Sequence, residues 1–143
     1  MVAAELLEPS NIGDLNYQIV ASGDFNGDGR EDLVFQHTDG GLAVWFMDGT
    51  RLTTPELFDP SNSAWKVVAV ADLNGDGKPD LVFQSADGSI DVWFMDGTKR
   101  RSRSSTQPNG GGESWKVVGV ADFNADDNPD LVFQHSDGSL AAW

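Results

Sequence analysis

The apolar positions of this chain come in short bursts, each bounded by Asp-Gly, Asn-Gly or Pro. WKVVAVAD (Trp65–Asp72) is rich in β-branched residues and DLVFQ (Asp80–Gln84) follows a polar turn. An Asp-Gly pair at Asp87–Gly88 leads into SIDVWFM (Ser89–Met95), and a second at Asp96–Gly97 opens a more polar stretch at Thr98–Ser104. Asp-Gly between apolar runs is a strong hairpin signal, because both turn positions accept positive φ. The pattern therefore predicts four successive antiparallel strands. Cores such as LVF and VVAV are apolar on both faces, as in a sheet packed between two other sheets. No segment sustains a helical period.

The same order recurs along the chain. Asp24, Asp72 and Asp122 open equivalent segments, spaced 48 and then 50 residues apart, and Trp45, Trp93 and Trp143 follow at the same offsets. Trp65–Trp93 and Trp115–Trp143 align without gaps at 19 of 29 positions, and Tyr17 stands where those units have Trp65 and Trp115. Four strands in a unit of this length describe a propeller blade, with a β-solenoid or a stack of sandwiches as the alternative. The expected fold class is all-β, a β-propeller of four-stranded blades, three per chain, in one domain spanning 1–143. The expected repeats cover about 17–64, 65–114 and 115–143.

The last unit stops before its fourth strand, while residues 1–16 resemble Arg51–Ala64, ELLEPSN matching ELFDPSN. The N-terminus is thus expected to carry the outer strand that the C-terminus lacks. Three blades are too few to surround an axis. The expectation is a head-to-tail homodimer forming a six-bladed ring, each N-terminus completing the last blade of the other chain. The alternative is an excerpt from a longer propeller.

Charge narrows the function classes. The net charge of −14 argues against nucleic acid and anionic membrane surfaces as partners. Thiol chemistry is excluded, since the chain has no cysteine, and no apolar run approaches the roughly 18 residues of a membrane helix. MVAAELLEPS lacks the basic start and continuous apolar stretch of a signal peptide, so any export signal is expected to lie outside this chain. Eighteen of the 23 acidic residues are Asp, and ten of those fall in three nonapeptides. The acidity is organised.

Those nonapeptides are DFNGDGRED (Asp24–Asp32), DLNGDGKPD (Asp72–Asp80) and DFNADDNPD (Asp122–Asp130), each joining the first strand of a unit to the second. Calcium is a hard cation that takes six to eight oxygens in forgiving geometry. A tight loop with Asp, Asn and Asp at alternate positions turns several oxygens inward, and three carboxylates so close together repel unless a cation offsets them. The expected calcium ligands are Asp24, Asn26, Asp28, the Arg30 carbonyl and Asp32 in the first loop. In the second they are Asp72, Asn74, Asp76, the Lys78 carbonyl and Asp80. In the third they are Asp122, Asn124, Asp126, the Asn128 carbonyl and Asp130, one ion per repeat. The third loop departs from the pattern with Ala125 and Asp127 in place of two glycines, which is expected to weaken it. Metal-free Asp-Gly turns are the bland alternative. Magnesium fits less well because it demands rigid octahedral geometry, and no Glu stands where an EF-hand would need it.

A β-strand, then D-x-N-x-D-G-x-x-D, then DLVF, resembles the FG-GAP/VCBS repeat family, whose blades occur in integrin α-subunit propellers, some fungal lectins and many secreted bacterial proteins. The resemblance covers all three units. It implies extracellular use and a structural calcium ion that stiffens each blade. It also implies a non-enzymatic recognition role, with carbohydrate or a cell-surface glycoconjugate as ligand.

Other residues invite chemical readings. His37 and His135 occupy one repeat position, with Ser85 between them, and read as polar strand ends rather than a catalytic pair. No Cys nucleophile, phosphate loop or supported Ser/His/Asp set is visible, so no catalytic residue is assigned. Trp45 and Trp93 read first as blade packing. With Gln36, Gln84 and Gln134, and Asp39, Asp87 and Asp137, they are also candidates for ligand binding in crevices between blades. Lys99–Ser114 reads as a charged edge strand followed by a Gly-rich loop, or as a docking site for an acidic partner. Two further functional readings stand beside the lectin-like one: a minimal or engineered self-assembling scaffold without a ligand, and a non-catalytic domain of a secreted polysaccharide-processing enzyme.

Overall fold

The computed structural model describes residues 13–58, 64–106 and 114–142. Blade one consists of β1 (Tyr17–Gly23), β2 (Asp32–His37), β3 (Leu42–Asp48) and β4 (Arg51–Leu57). Blade two consists of β5 (Trp65–Ala71), β6 (Asp80–Ser85), β7 (Ile90–Asp96) and β8 (Lys99–Thr106). Blade three has β9 (Trp115–Ala121), β10 (Asp130–His135) and β11 (Leu140–Ala142). Each sheet is an antiparallel meander in sequence order, four-stranded in blades one and two and three-stranded in blade three among the described residues. The all-β propeller-blade reading holds, strand for strand. Of residues 1–16, expected to supply an outer strand, 13–16 form a turn leading into β1, while 1–12 and Trp143 lie outside the described residues.

The blades pack face to face. Phe25, Val34, Leu42 and Val44 of blade one bury against Val67, Leu81, Phe83, Trp93 and Met95 of blade two. Blade two repeats the arrangement from its other face, where Val82 and Ile90, flanked by Val68, Leu73 and Val92, meet Val117, Leu131 and Phe133 of blade three. Both faces of a middle blade are therefore interior, which is why its strands read as continuous apolar runs. A third cluster, Phe35, Trp45 and Met47 with Tyr17 and Leu33, occupies the face of blade one turned away from blade two.

Each innermost strand carries a register shift at the same place, between Ile19 and Ala21 in β1 and between Val67 and Ala69 in β5, while in β9 the pairing passes over Val118. A bulge of this kind bends the strand and leaves a residue out of the ladder. Its recurrence places backbone groups of the innermost strand within reach of the preceding blade.

The basic segment is the outer strand of blade two. The Arg100 guanidinium lies 4.6 Å from the Trp93 ring centroid, and Arg103 pairs with Asp91 at 2.8 Å. Arg100, Arg101 and Arg103 are thus anchored on their own blade, which favours the charged-edge-strand reading.

Candidate metal centre and blade clasp

The three nonapeptides form the turns between the first and second strands of their blades. In the first, Asp24 Oδ1 accepts the amides of Gly27 (2.7 Å) and Asp28 (3.1 Å), and Oδ2 accepts that of Gly29 (2.7 Å). The Asp28 amide is shared with Asn26 Oδ1 at 3.0 Å, so the first and third side-chain oxygens converge on one donor. Asp28 Oδ1 in turn accepts the Arg30 amide at 2.9 Å. The second loop repeats these bonds through Asp72, Asn74 and Asp76 to within about 0.1 Å.

The third loop keeps most of the pattern. Asp126 donates its amide to Asp122 and Asn124, Asp127 to Asp122 Oδ2 at 2.9 Å, and Asn128 to Asp126 at 2.8 Å. To do so it holds Ala125 at φ 60° and Asp127 at φ 66°, where the other loops have Gly27, Gly29, Gly75 and Gly77 at 74–83°. A non-glycine residue there costs roughly 1–2 kcal/mol, less for Asp. The expected strain at Asp127 is present, and Ala125 adds to it.

The ninth residue works differently from the rest. Asp32 and Asp80 are fully buried at the start of the second strand. Asp32 accepts Phe25 N and Met47 N, each at 2.9 Å, and Asp80 accepts Leu73 N and Met95 N at the same distance. One carboxylate thereby ties the loop to the third strand. Burial pushes both carboxyls above the ordinary value; the amide bonds oppose this, and the nearby first and fifth carboxylates reinforce it. Asp130 keeps the bond to Phe123 N at 2.9 Å.

The donor set is hard and entirely oxygen, which is what calcium takes. Among the described residues no three carboxylate or imidazole side chains alone form a metal-holding group. A cation held in these loops would have to draw on oxygens besides the carboxylates, such as the Asn side chain or a main-chain carbonyl. In the first two loops the seventh side chain turns outward, Arg30 pairing with Asp48 at 3.4 Å and Lys78 with Asp96 at 2.7 Å, whereas Asn128 Nδ2 donates back to the Asp126 carbonyl at 3.3 Å. Lys78, then Arg101, hold the Asp96 carboxyl at about 2.

The glutamines named as ligand candidates have another task. Gln36 Nε2 donates to the Trp65 carbonyl at 2.9 Å while its Oε1 accepts the Val67 amide at 3.1 Å. Gln84 does the same one blade on, to the Trp115 carbonyl at 2.8 Å and from the Val117 amide at 3.0 Å. A buried primary amide mimics a peptide group and clasps the bulged innermost strand of the next blade. Sequence reasoning missed this clasp; the available signal was an amide ending each apolar DLVFQ run. Gln134, the third of the set, is exposed.

Asp39, Asp87 and Asp137 cap the turns between the second and third strands, accepting the amides of Gly41, Ser89 and Ser139 at 2.8–2.9 Å. His37 and His135 pair with Asp39 and Asp137 at 2.8 and 2.9 Å and pack against Tyr17 and Trp115. They are strand ends, as the sequence indicates. Trp45 and Trp93 are buried against Phe35 and Phe83. The crevice between blades one and two, about 270 Å³, is lined by Asn16, Gln18, Gln36, His37, Lys66 and neighbours. Of the ligand candidates it brings in Gln36, whereas Trp45 and Asp39 lie elsewhere. Sequence reasoning also missed Asp91, a buried acid in β7 that accepts Trp93 Nε1 at 3.2 Å and the Ser105 hydroxyl at 3.1 Å.

Comparison with known families matches the FG-GAP-like repeat model twice, over residues 24–83 and 72–133. Neither curated proteins nor solved structures give a match. The two matched windows each run from one nonapeptide loop through the second strand of the next blade, so they follow the blade repeat and together span most of the chain. The chain belongs to the FG-GAP-like repeat family.

Proposed function

We propose that this chain is a calcium-stiffened, non-enzymatic recognition module of the β-propeller kind, working outside the cell. The observation that carries this reading is the nonapeptide loop, whose first Asp gathers the fifth and sixth backbone amides in all three blades. Asp24, Asn26, Asp28, the Arg30 carbonyl and Asp32 would hold the first ion. Asp72, Asn74, Asp76, the Lys78 carbonyl and Asp80 would hold the second, and Asp122, Asn124, Asp126, the Asn128 carbonyl and Asp130 the third. A bound divalent cation supplies the positive charge that offsets the carboxylates crowded into one turn. The chain's own contribution is rigidity, because the ninth Asp links the loop to the third strand and the loop amides preset the first and fifth carboxylates. Carbohydrate or a glycoconjugate is the ligand class that the resemblance implies, and the polar crevice between blades is a place for it.

Calcium titration by calorimetry, with native mass spectrometry before and after chelation, tests the metal. One ion per loop is expected, with Asp76→Asn weakening the second site by about tenfold or more, since affinity follows the ligand charge count. No uptake at extracellular calcium levels would overturn it. A glycan array tests the ligand class. A second reading, a propeller whose property is assembly, is favoured by the exposed apolar face of blade three.

A further inference from the structure

We propose that the open face of blade three docks the innermost strand of a second copy of this chain, with Gln134 clasping Tyr17 and Ile19 of that copy as Gln36 clasps Trp65 and Val67. The inference deepens the assembly reading and rests on it, and it is independent of whether the loops hold calcium.

The blade interfaces already present show what covers such a face. Leu42 and Ile90 are 2% and 0% exposed, because the next blade lies on them; Leu140, at the same repeat position, is 69% exposed. Phe25 is 4% exposed in blade one, against 63% for Phe123 in blade three. Val118 is 57% exposed, whereas Val20 and Val68 pack into the clusters beside them. Blade three thus presents the face that blades one and two each bury against a successor.

The matching face belongs to blade one. Phe35, Trp45 and Met47 repeat the Phe83, Trp93 and Met95 set of blade two and are already buried in the single chain, so what this side offers a second copy is its innermost strand. Ile19 stands where Val67 and Val117 fill the existing interfaces, and it is 57% exposed. The strand around it carries the same bulge as β5, so the carbonyl of Tyr17 and the amide of Ile19 repeat the acceptor and donor at Trp65 and Val67.

The groove itself makes the same point. Beside blade three it measures about 420 Å³ and is lined by Ser114, Lys116, Val118, Gln134 and His135 among others. The corresponding crevice of blade one has the equivalent residues, but Lys66 and Val67 of the next blade help line it and it measures about 270 Å³. Gln18 and Ile19 of a second copy are the residues that would take those two places. The contact joins unlike surfaces, so it propagates unless rotation closes it, and closure with two copies gives one ring.

Sedimentation velocity on the full chain over a range of concentrations is the test, run on wild type, Gln134→Glu and Leu140→Asp. Both side chains are exposed in the single chain, so the variants should fold, as far-UV circular dichroism checks. The wild type is expected at twice 15.4 kDa. Glutamate keeps an acceptor for the Ile19 amide but turns a second oxygen toward the Tyr17 carbonyl, and should weaken association about tenfold or more. The Leu140→Asp change should abolish it. Ile19→Asp, on the opposite face, should do the same, and mixing it with Leu140→Asp should restore a dimer through the one intact interface. A dimer indifferent to all three changes would overturn this docking face while leaving assembly standing. A monomer at high micromolar concentration would overturn both.

Discussion

Blades two and three share 19 of 29 positions between Trp65–Trp93 and Trp115–Trp143, yet they sit in different environments. Ile90 and Val82 are fully buried while Leu140 and Phe123 face outward, although Phe83 and its counterpart Phe133 are buried alike. Asp80 is fully buried and bonded to two amides, one from its own loop and one from the third strand. Asp130 is partly exposed and holds the loop amide. The difference teaches that burial in a repeat protein belongs to the neighbour as much as to the residue: each blade lends its successor a wall and borrows one from its predecessor.

The largest effect should come from truncating equivalent apolar residues. Ile90→Ala is expected to destabilise the chain by about 2–4 kcal/mol in urea unfolding, because it opens a cavity between two blades. Leu140→Ala should cost under about 0.5 kcal/mol in the single chain, as surface changes do. Equal losses, with the chain dimeric, would mean that the face is covered in solution and would break the comparison.

A smaller effect is expected in the loops. Gly75 has open space where a Cβ would stand, so Gly75→Ala tests backbone conformation alone. Its φ of 74° should make alanine cost about 1 kcal/mol, and Ala125→Gly at φ 60° should return a similar amount to blade three. Thermal unfolding of the two variants, with and without calcium, reads both signs. If Ala125→Gly also tightens calcium binding, strain is what separates the third loop from the others.

The smallest effect should be the same in both blades. The Ser85 hydroxyl, with Ser89, holds Asp87 at about 2; Ser139, then His135, holds Asp137 at about 2. Both folded values lie below the ordinary 3.8, so the contribution of each turn is present above that value and is lost as pH falls through about 2. NMR titration of the two carboxyls should give matching midpoints, since these turns are local and exposed. Divergent midpoints would show that the missing neighbour is felt even there.

Much of this was legible in the chain. Asp-Gly pairs between β-branched runs marked the hairpins because turn chemistry acts within a few residues, and the spacing of Asp24, Asp72 and Asp122 marked the blades. The loop residues were legible for the same reason, down to the strain at Asp127. The role of Gln36 and Gln84 was not, because their partners lie 29–33 residues away on another sheet. Nor was that of Asp91, whose burial depends on Arg103, Ser105 and Trp93 meeting over one strand.

The order of strands, the blade repeat and the oxygen-rich loops follow from short-range pattern, since hydrogen-bonded turns and alternating side chains need only neighbours in sequence. Which copies of a repeated residue are buried, which glutamine finds a strand to clasp and which face is left open are decided in three dimensions. Burial and hydrogen bonding of a side chain depend on what stands opposite it, and identical residues in successive blades stand opposite different things.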